Sequence, residues 1–405
     1  MQSWLRHFAA SRTAALLGRA SRLRLRFSCE LVTELIEDDE VVGHGYNFED
    51  DDATLAMNKA VIQAACSLAH LDFTLTASLA DEVDILLPRS SRLTSLCLTY
   101  RAYDHMASEV DYSKNGSLAA LAVSVRRLPA LQKLVVQDLP ADPFVLSVLA
   151  PSLPRSLTRL ELQLATDLER YTTDAIGDEC SGTLQQLGGL PRLRDLRLFT
   201  AITGRLDNRV PPGLSLLTCL EVHGHTDHVG SLVSSLALMP HLQRLSWENT
   251  GMLYLGWPDS IASLTQLTYL SLREPILPSV EHWQVPPAPP PPSLAGHTRL
   301  AHLHIDGLRG EVLWVMPDLR PLAPSLRCLR CGHCTGEVIR QALPALSHLT
   351  ALALDSCIPW PVGGPEVLAH IRDLQCLIEN RGWTYYELCP EHWPPSEDGV
   401  CLGLF

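Results

Sequence analysis

Pro258–Leu272 reads PDSIASLTQLTYLSL, and its leucines Leu264, Leu267, Leu270 and Leu272 follow one another at spacings of three, three and two residues. In an extended segment successive side chains point to opposite faces, so the last two of these leucines share one face. A spacing that recurs along a chain at a fixed period indicates a stacked repeat architecture.

The same spacing recurs along most of the chain. We take the first residue of each terminal L-x-L pair as the anchor of its repeat. The anchors are Leu71, Leu96, Leu134, Leu160, Leu196, Leu220, Leu245, Leu270, Leu303, Leu329 and Leu352. Successive gaps are 25, 38, 26, 36, 24, 25, 25, 33, 26 and 23 residues. The three long gaps each fit one repeat that carries an insertion.

The energetics of one unit explain why the repeats must stack. Each repeat buries four or five apolar side chains, worth about 2 kcal/mol apiece. Ordering its two dozen residues costs on the order of 1.5 kcal/mol each. A single repeat is therefore unstable, and neighbours that cover both of its faces are required.

The pattern resembles the leucine-rich repeat family, whose core is L-x-x-L-x-L-x-x-N/C-x-L. The matching stretches are LPRLRDLRLF from Leu190, LTQLTYLSL from Leu264 and LSHLTALALDSC from Leu346, and WPDSIASLTQLTYLSL is similar to the plant and algal type. The resemblance implies an α/β solenoid, a curved horseshoe with a parallel sheet on the concave face and short helices or loops on the convex face. The Asn/Cys position departs from the family pattern, since only Cys334 and Cys357 fill it.

These observations divide the chain into three parts. Residues 1–52 form a basic and then acidic segment, residues 53–380 hold about 11 repeats with a proline-rich insertion at 276–293, and residues 381–405 form a cap or tail. Apolar residues at helical spacing predict a last helix over Pro365–Asn380.

The N-terminal segment has two alternative interpretations. Residues 1–29 contain six arginines and no acidic residue, a composition typical of an organelle transit peptide. The alternative is a basic amphipathic helix followed by a strand at Leu23–Phe27. Residues 30–52 contain ten acidic residues and no Lys or Arg, which predicts a solvated loop.

Composition restricts the classes of partner. The 405 residues carry a net charge of −13, which disfavours a nucleic-acid partner because such affinity comes largely from Lys and Arg. Twelve cysteines, mostly within repeats, indicate reduced thiols in the cytoplasm, with the cytoskeleton or ciliary axoneme as a narrower expectation. No apolar run is long enough to span a membrane. No nucleotide-binding, nucleophile-elbow or kinase motif occurs, and we expect no cofactor.

One motif suggests metal chemistry. His223, His225, Asp227 and His228 form H-x-H-x-D-H, which is similar to the zinc signature of the metallo-β-lactamase fold. Imidazole and carboxylate ligands would bind zinc and lower the pKa of a bound water. The leucine register opposes this alternative, because it places His223 on the concave face and His225 in the interior.

The concave face is the remaining candidate site. The residues that alternate with the core leucines along each predicted strand should point to this face. They are Lys133, Arg159, Glu161, Asp195, Arg197, Phe199, Glu221, His223, Arg244, Glu248, Tyr269, Arg273, His302, His304 and Arg330. Mixed charges around two aromatic side chains favour a protein or peptide ligand, since aromatic and Arg side chains dominate interface energies. We predict that the patch that binds it consists of Arg197, Phe199, Glu221, Arg244, Tyr269 and Arg273.

The sequence thus predicts a non-enzymatic scaffold that binds a protein or peptide on its concave face. The resemblance implies roles such as a ubiquitin-ligase substrate adaptor or a cytoskeletal or axonemal component. The alternative is a metal-dependent hydrolase that uses the histidine motif.

Overall fold

A computed structural model gives the fold of the chain. The residues that it describes are 22–25, 33–37, 40–45, 69–76, 92–101, 116–139, 148–164, 184–200, 212–224, 236–249, 259–273, 293–306, 316–332, 341–355 and 376–380. All structural statements below concern these residues.

Strands dominate the secondary structure. In chain order they are β1 (Arg22–Leu25), β2 (Thr33–Glu37), β3 (Glu40–Gly45), β4 (His70–Thr76), β5 (Ser95–Arg101), β6 (Lys133–Leu139), β7 (Arg159–Leu164), β8 (Asp195–Thr200), β9 (Cys219–Gly224), β10 (Arg244–Asn249), β11 (Tyr269–Arg273), β12 (His302–Asp306), β13 (Cys328–Gly332), β14 (Ala351–Asp355) and β15 (Cys376–Asn380). One α-helix, α1 (Gly116–Arg126), is described. Short 3-10 turns occur at Ala150–Ser152, Leu184–Gly189, Pro212–Leu214, Asp259–Ser263, Arg320–Leu322 and Leu343–Ala345.

The chain divides into two compact units. The first comprises Met1–Ala175 and Gln186–Ile202, and the second comprises Ile176–Gln185 and Thr203–Phe405. In the first unit β1 pairs with β4, and β4 to β8 pair in chain order, all in parallel. In the second unit β9 to β15 pair in chain order, again all in parallel. One parallel strand per repeat confirms the predicted α/β leucine-rich repeat fold.

The anchors meet leucine to leucine in both units. Leu71, Leu96, Leu134, Leu160 and Leu196 align across the strands of the first unit. Leu220, Leu245, Leu270, Leu303, Leu329 and Leu352 align across those of the second unit. Every one of these leucines is at least 98% buried. The leucine spacing therefore sets the strand register, because a slip of one residue would expose every core side chain.

A ladder of hydrogen bonds at the strand starts links successive repeats. One carbonyl of each preceding repeat accepts two backbone N–H groups, as Gln243 O does from Thr268 and Tyr269. A threonine hydroxyl often adds a third bond to the same carbonyl, at 3.1 Å from Thr268 Oγ1 to Gln243 O. Equivalent hydroxyl bonds come from Thr94, Thr158 and Thr350. These threonines supply side-chain links between repeats in a chain where Asn is absent from the usual ladder position.

Three findings at the chain ends differ from or extend the expectations. Residues 376–380 form strand β15 on β14 rather than the end of a helix. Residues 33–45 contain an antiparallel pair, β2 and β3, where we expected a loop. Strand β1 lies within 1–52 and pairs with β4, so that Leu23 meets Leu71. The domain boundaries at residues 53 and 380 stay predictions.

Candidate binding surface

The candidate site lies on the open face, which we define as the side of the parallel strands that carries the residues between the leucines. In the second unit its central row joins directly paired residues of successive strands. The row consists of Glu221, Ser246, Ser271, His304 and Arg330. Two outer rows flank it, because side chains at i and i+2 on a strand share a face.

Three side chains of the central row are buried beneath larger neighbours. Ser246 and His304 are each 8% exposed, and Ser271 is 2% exposed. Ser271 lies between Tyr269 and Arg273 on its strand, and a small side chain between two long ones lies at the bottom of the surface. The outer rows therefore present the groups that a ligand would meet first.

One outer row contains an aromatic and cationic cluster. The Arg244 guanidinium carbon lies 4.9 Å from the centroid of the Tyr269 ring, within cation–π range. The His302 ring follows on the next strand, with its centroid 6.1 Å from that of Tyr269. Burial and the nearby Glu221 carboxylate raise the pKa of Tyr269, so its hydroxyl stays protonated at neutral pH. All three side chains remain partly exposed.

The other outer row contains a chain of ionic contacts. Glu248 Oε2 lies 3.1 Å from His223 Nδ1 and accepts a bond from Arg273 Nη1 at 3.2 Å. Although burial opposes its ionisation, His223 and Arg273 together lower the pKa of Glu248 to about 2. Burial also lowers the pKa of His223, but Glu221 and Glu248 outweigh it and raise that pKa overall. The row thus holds charge of both signs at fixed positions.

In the first unit the open face carries an ion-pair network. Arg159 Nη2 lies 2.9 Å from Glu161 Oε2, and Arg159 Nε lies 3.4 Å from Asp195 Oδ2. Arg197 Nε donates to Asp195 Oδ1 at 3.1 Å. Phe199 follows on the same strand and is half-buried. Each charge in this network has a partner of opposite sign within the network.

The structure places the six predicted residues on the two units separately. Arg197 and Phe199 belong to the first unit, and the other four belong to the second. Arg244 and Tyr269 are in direct contact. The sequence places His304 and Arg330 on this face but outside the predicted patch, and Ser271 lies on the same face by the same register.

The candidate metal ligands are only partly described. His223 lies at the end of β9 and contacts Glu248. His225, Asp227 and His228 lie outside the described residues. Within the described ranges no group of three or more His, Cys, Asp or Glu side chains is arranged to hold a metal ion. The hydrolase alternative therefore has no structural support.

Gly332 provides a local test of the open-face geometry. A Cβ at this position would overlap the Asp306 carboxylate on the neighbouring strand, since Asp306 Cγ would lie 2.8 Å from it. We expect Gly332→Ala to displace the Asp306 side chain and to lower the free energy of unfolding by about 1–2 kcal/mol. Urea unfolding measures this change. Gly189→Ala is the control, because a Cβ there meets nothing within 4 Å, and equal losses in both variants would contradict the placement of Asp306.

Comparisons with known proteins found similarity among solved structures. No protein-family model and no curated protein matches it. Among solved structures, InlJ from Listeria monocytogenes matches at 12% identity and a TM-score of 0.36, over 77% of this chain and 59% of InlJ. Internalin C2 from the same organism matches at 18% identity and a TM-score of 0.29, over 59% of this chain and 82% of its own.

A third match is the leucine-rich repeat-containing protein LegL7 from Legionella pneumophila, at 16% identity and a TM-score of 0.30, over 78% of this chain and 86% of LegL7. These similarities say nothing about what the chain binds. In the described part of the chain, no helix has the length and apolar character needed to cross a membrane.

Proposed function

We propose that the chain is a non-enzymatic scaffold that binds a protein or peptide through the open face of its second unit. The observation that carries this proposal is the cluster of Arg244, Tyr269 and His302, whose rings and guanidinium group contact one another and remain partly exposed. Aromatic and Arg side chains contribute most of the energy at protein interfaces. Their mutual contacts also hold them in place before a ligand arrives, which reduces the entropy lost on binding.

The finer parts of the proposal come from the sequence. They are a plant or algal type of repeat, a role as a ubiquitin-ligase substrate adaptor or a cytoskeletal or axonemal component, and a cytoplasmic location. A targeting role for residues 1–29 predicts that a reporter carrying them is imported into an organelle and shortened. A cytosolic reporter of full length would support the structural interpretation of that segment.

Partner capture tests the binding surface. Tagged full-length chain and its Tyr269→Ala and Phe199→Ala variants are used to capture proteins from a cell extract, and the captured proteins are quantified by mass spectrometry. We expect Tyr269→Ala to weaken binding of the true partner by about 30-fold or more, as removal of an aromatic hot spot does. Arg320→Ala is the control, because Arg320 lies in a turn and its side chain is 69% exposed.

Three outcomes distinguish the possible locations of the partner-binding site. Loss of capture with Tyr269→Ala but not with Arg320→Ala supports the second unit, provided that the melting temperature changes little. Loss with Phe199→Ala alone moves the site to the first unit. Capture that survives both aromatic changes but disappears when residues 276–293 are deleted would place the site in the proline-rich insertion and refute the open-face proposal.

A further inference from the structure

Two buried nitrogen atoms on the open face of the second unit have no hydrogen-bond partner. They are His304 Nε2 and Arg273 Nε. Buried polar atoms in proteins are nearly always hydrogen-bonded, so an orphaned buried atom requires an explanation. Both atoms belong to adjacent strands and to the same face of the sheet.

The register brings a third cationic side chain to the same place. His304 pairs directly with Ser271 on β11 and with Arg330 on β13. Arg273 follows Ser271 by two residues and therefore lies on the same face. Neighbouring strands are about 4.8 Å apart, so Arg273 and Arg330 lie two strands, or about 10 Å, from each other, with His304 on the strand between them.

His304 can supply only a neutral N–H group. Burial, together with the positive charges of Arg273 and Arg330, lowers the pKa of His304 well below its ordinary value. Its Nδ1 lies 3.3 Å from Ser271 Oγ. When the serine hydroxyl donates to Nδ1, the ring proton resides on Nε2, and that N–H is a donor without an acceptor.

His304 Nε2 forms no hydrogen bond in the described part of the chain. An Arg side chain donates hydrogen bonds and accepts none, so neither Arg273 nor Arg330 can serve His304. The Glu248 carboxylate is already shared by His223 and Arg273 Nη1. Within the described ranges no carboxylate forms an ion pair with Arg330. Asp306, two residues along β12 from His304, carries a carboxylate on the same face, beside Gly332 of β13. The cluster therefore has unused donors at His304 Nε2 and Arg273 Nε, with carboxylates on either side of it.

We propose that Arg273, His304 and Arg330 form a binding site for one oxyanion group, a carboxylate or a phosphate carried by the protein ligand. The inference rests on the proposed function, since it assigns a chemical preference to the same face. Arg side chains bind both groups through charge-assisted hydrogen bonds, and planar pairs of such bonds add geometric specificity. The neutral imidazole N–H adds a third donor from below.

The test uses the full chain without any partner. Inorganic phosphate and acetate represent the two sources of the oxyanion, and chloride at equal ionic strength controls for screening. The imidazole signals of His304, assigned with a His304→Gln variant, are followed by 1H–15N NMR during each titration. We expect a saturable shift with phosphate, with acetate or with both, and no such shift with chloride. The more strongly bound anion identifies the source.

A variant pair shows whether the named side chains hold the anion. Arg330→Gln should weaken anion binding about tenfold, because one charge-assisted contact is lost. Arg299→Gln removes the same charge from an exposed turn residue that donates to Gln266, and it should bind the anion as the original chain does. Circular dichroism confirms that both variants fold.

Equal, unsaturable responses to all three salts, or equal binding by the two variants, would overturn the site. This failure is distinguishable from failure of the proposed function. If the titrations show no saturable shift but capture of a protein depends on Tyr269, only the oxyanion site is refuted. If anion binding is saturable but no protein is captured in a Tyr269-dependent way, only the protein-binding surface is refuted.

Discussion

Replacing Leu270 with alanine is expected to lower the free energy of unfolding by about 2–5 kcal/mol, the range that buried leucines show. Leu270 is fully buried, and it pairs with Leu245 on one side and Leu303 on the other. A cavity at this position therefore weakens the packing of two neighbouring repeats. Urea unfolding gives the energy, and amide hydrogen exchange in β10 and β12 should show reduced protection next to the cavity.

Thr268→Ala is the matched comparison in the same repeat. The sequence alone predicts almost no cost, because Thr268 lies between leucines. The structure shows that its hydroxyl donates to the Gln243 carbonyl at 3.1 Å. We therefore expect a cost of about 1 kcal/mol, the value of one hydrogen bond. Equal losses from Leu270→Ala and Thr268→Ala would show that the register of the leucines is wrong.

Acidification below about pH 6.5 is expected to destabilise the second unit. Burial lowers the pKa of His304, His297 and His302, with nearby Arg side chains adding to the effect at His304 and His302. The unfolded chain, in which these pKa values are ordinary, takes up protons that the folded chain does not. Their contribution to stability is therefore present above pH 6.5 and is lost as the pH falls below it. Each histidine contributes a slope of up to about 1.4 kcal/mol per pH unit.

Other groups on the same unit act in different pH ranges. His223 has a raised pKa, so its contribution is complete below pH 6.5 and is lost as the pH rises through its folded value. Glu248 contributes above its ordinary pKa of 4.5, and this contribution is lost as the pH falls toward about 2. Between about pH 4.5 and pH 6.5 the contributions of His223 and Glu248 to stability stay constant, so they do not obscure the effect of the three neutral histidines.

Urea unfolding at several pH values, in buffers free of phosphate and acetate, measures the slope. His304→Gln should reduce it, and His297→Gln should reduce it independently. His297 is fully buried in the turn before β12, where its Nε2 lies 2.9 Å from the Ile261 carbonyl oxygen. His241→Gln changes an exposed histidine and is the control. A slope that is the same in His304→Gln and in the original chain would contradict the buried, neutral state of His304.

The leucine spacing was sufficient to predict the sheet. It depends only on local alternation of side chains and on the need to bury them, and all eleven anchors meet in the predicted register within their units. At the C-terminal end, apolar residues at helical spacing suggested a helix through Asn380. Leu377, however, follows Leu352 by 25 residues, and strand pairing decided its structure.

The binding surface was less accessible to prediction. Alternation correctly identifies which side chains share the open face, but it does not determine which of them pair with one another. Arg273 is tied to Glu248, whereas Arg330 has no such carboxylate among the described residues, and both have the same type of position in the pattern. Ser271 was not selected as a site residue because its side chain is small, yet its hydroxyl lies beside His304 Nδ1.

The strands pair in the same register whatever the length of the chain between them. Insertions between strands and replacements of core leucines are therefore independent kinds of sequence change. Leu270 and Leu303 meet across a 33-residue spacing in the same way that Leu245 and Leu270 meet across 25 residues. An insertion between strands thus lengthens the chain without moving a core leucine, so evolution can vary such segments while the leucines stay fixed. New recognition segments can be acquired one repeat at a time, and residues 276–293 are where we would graft one.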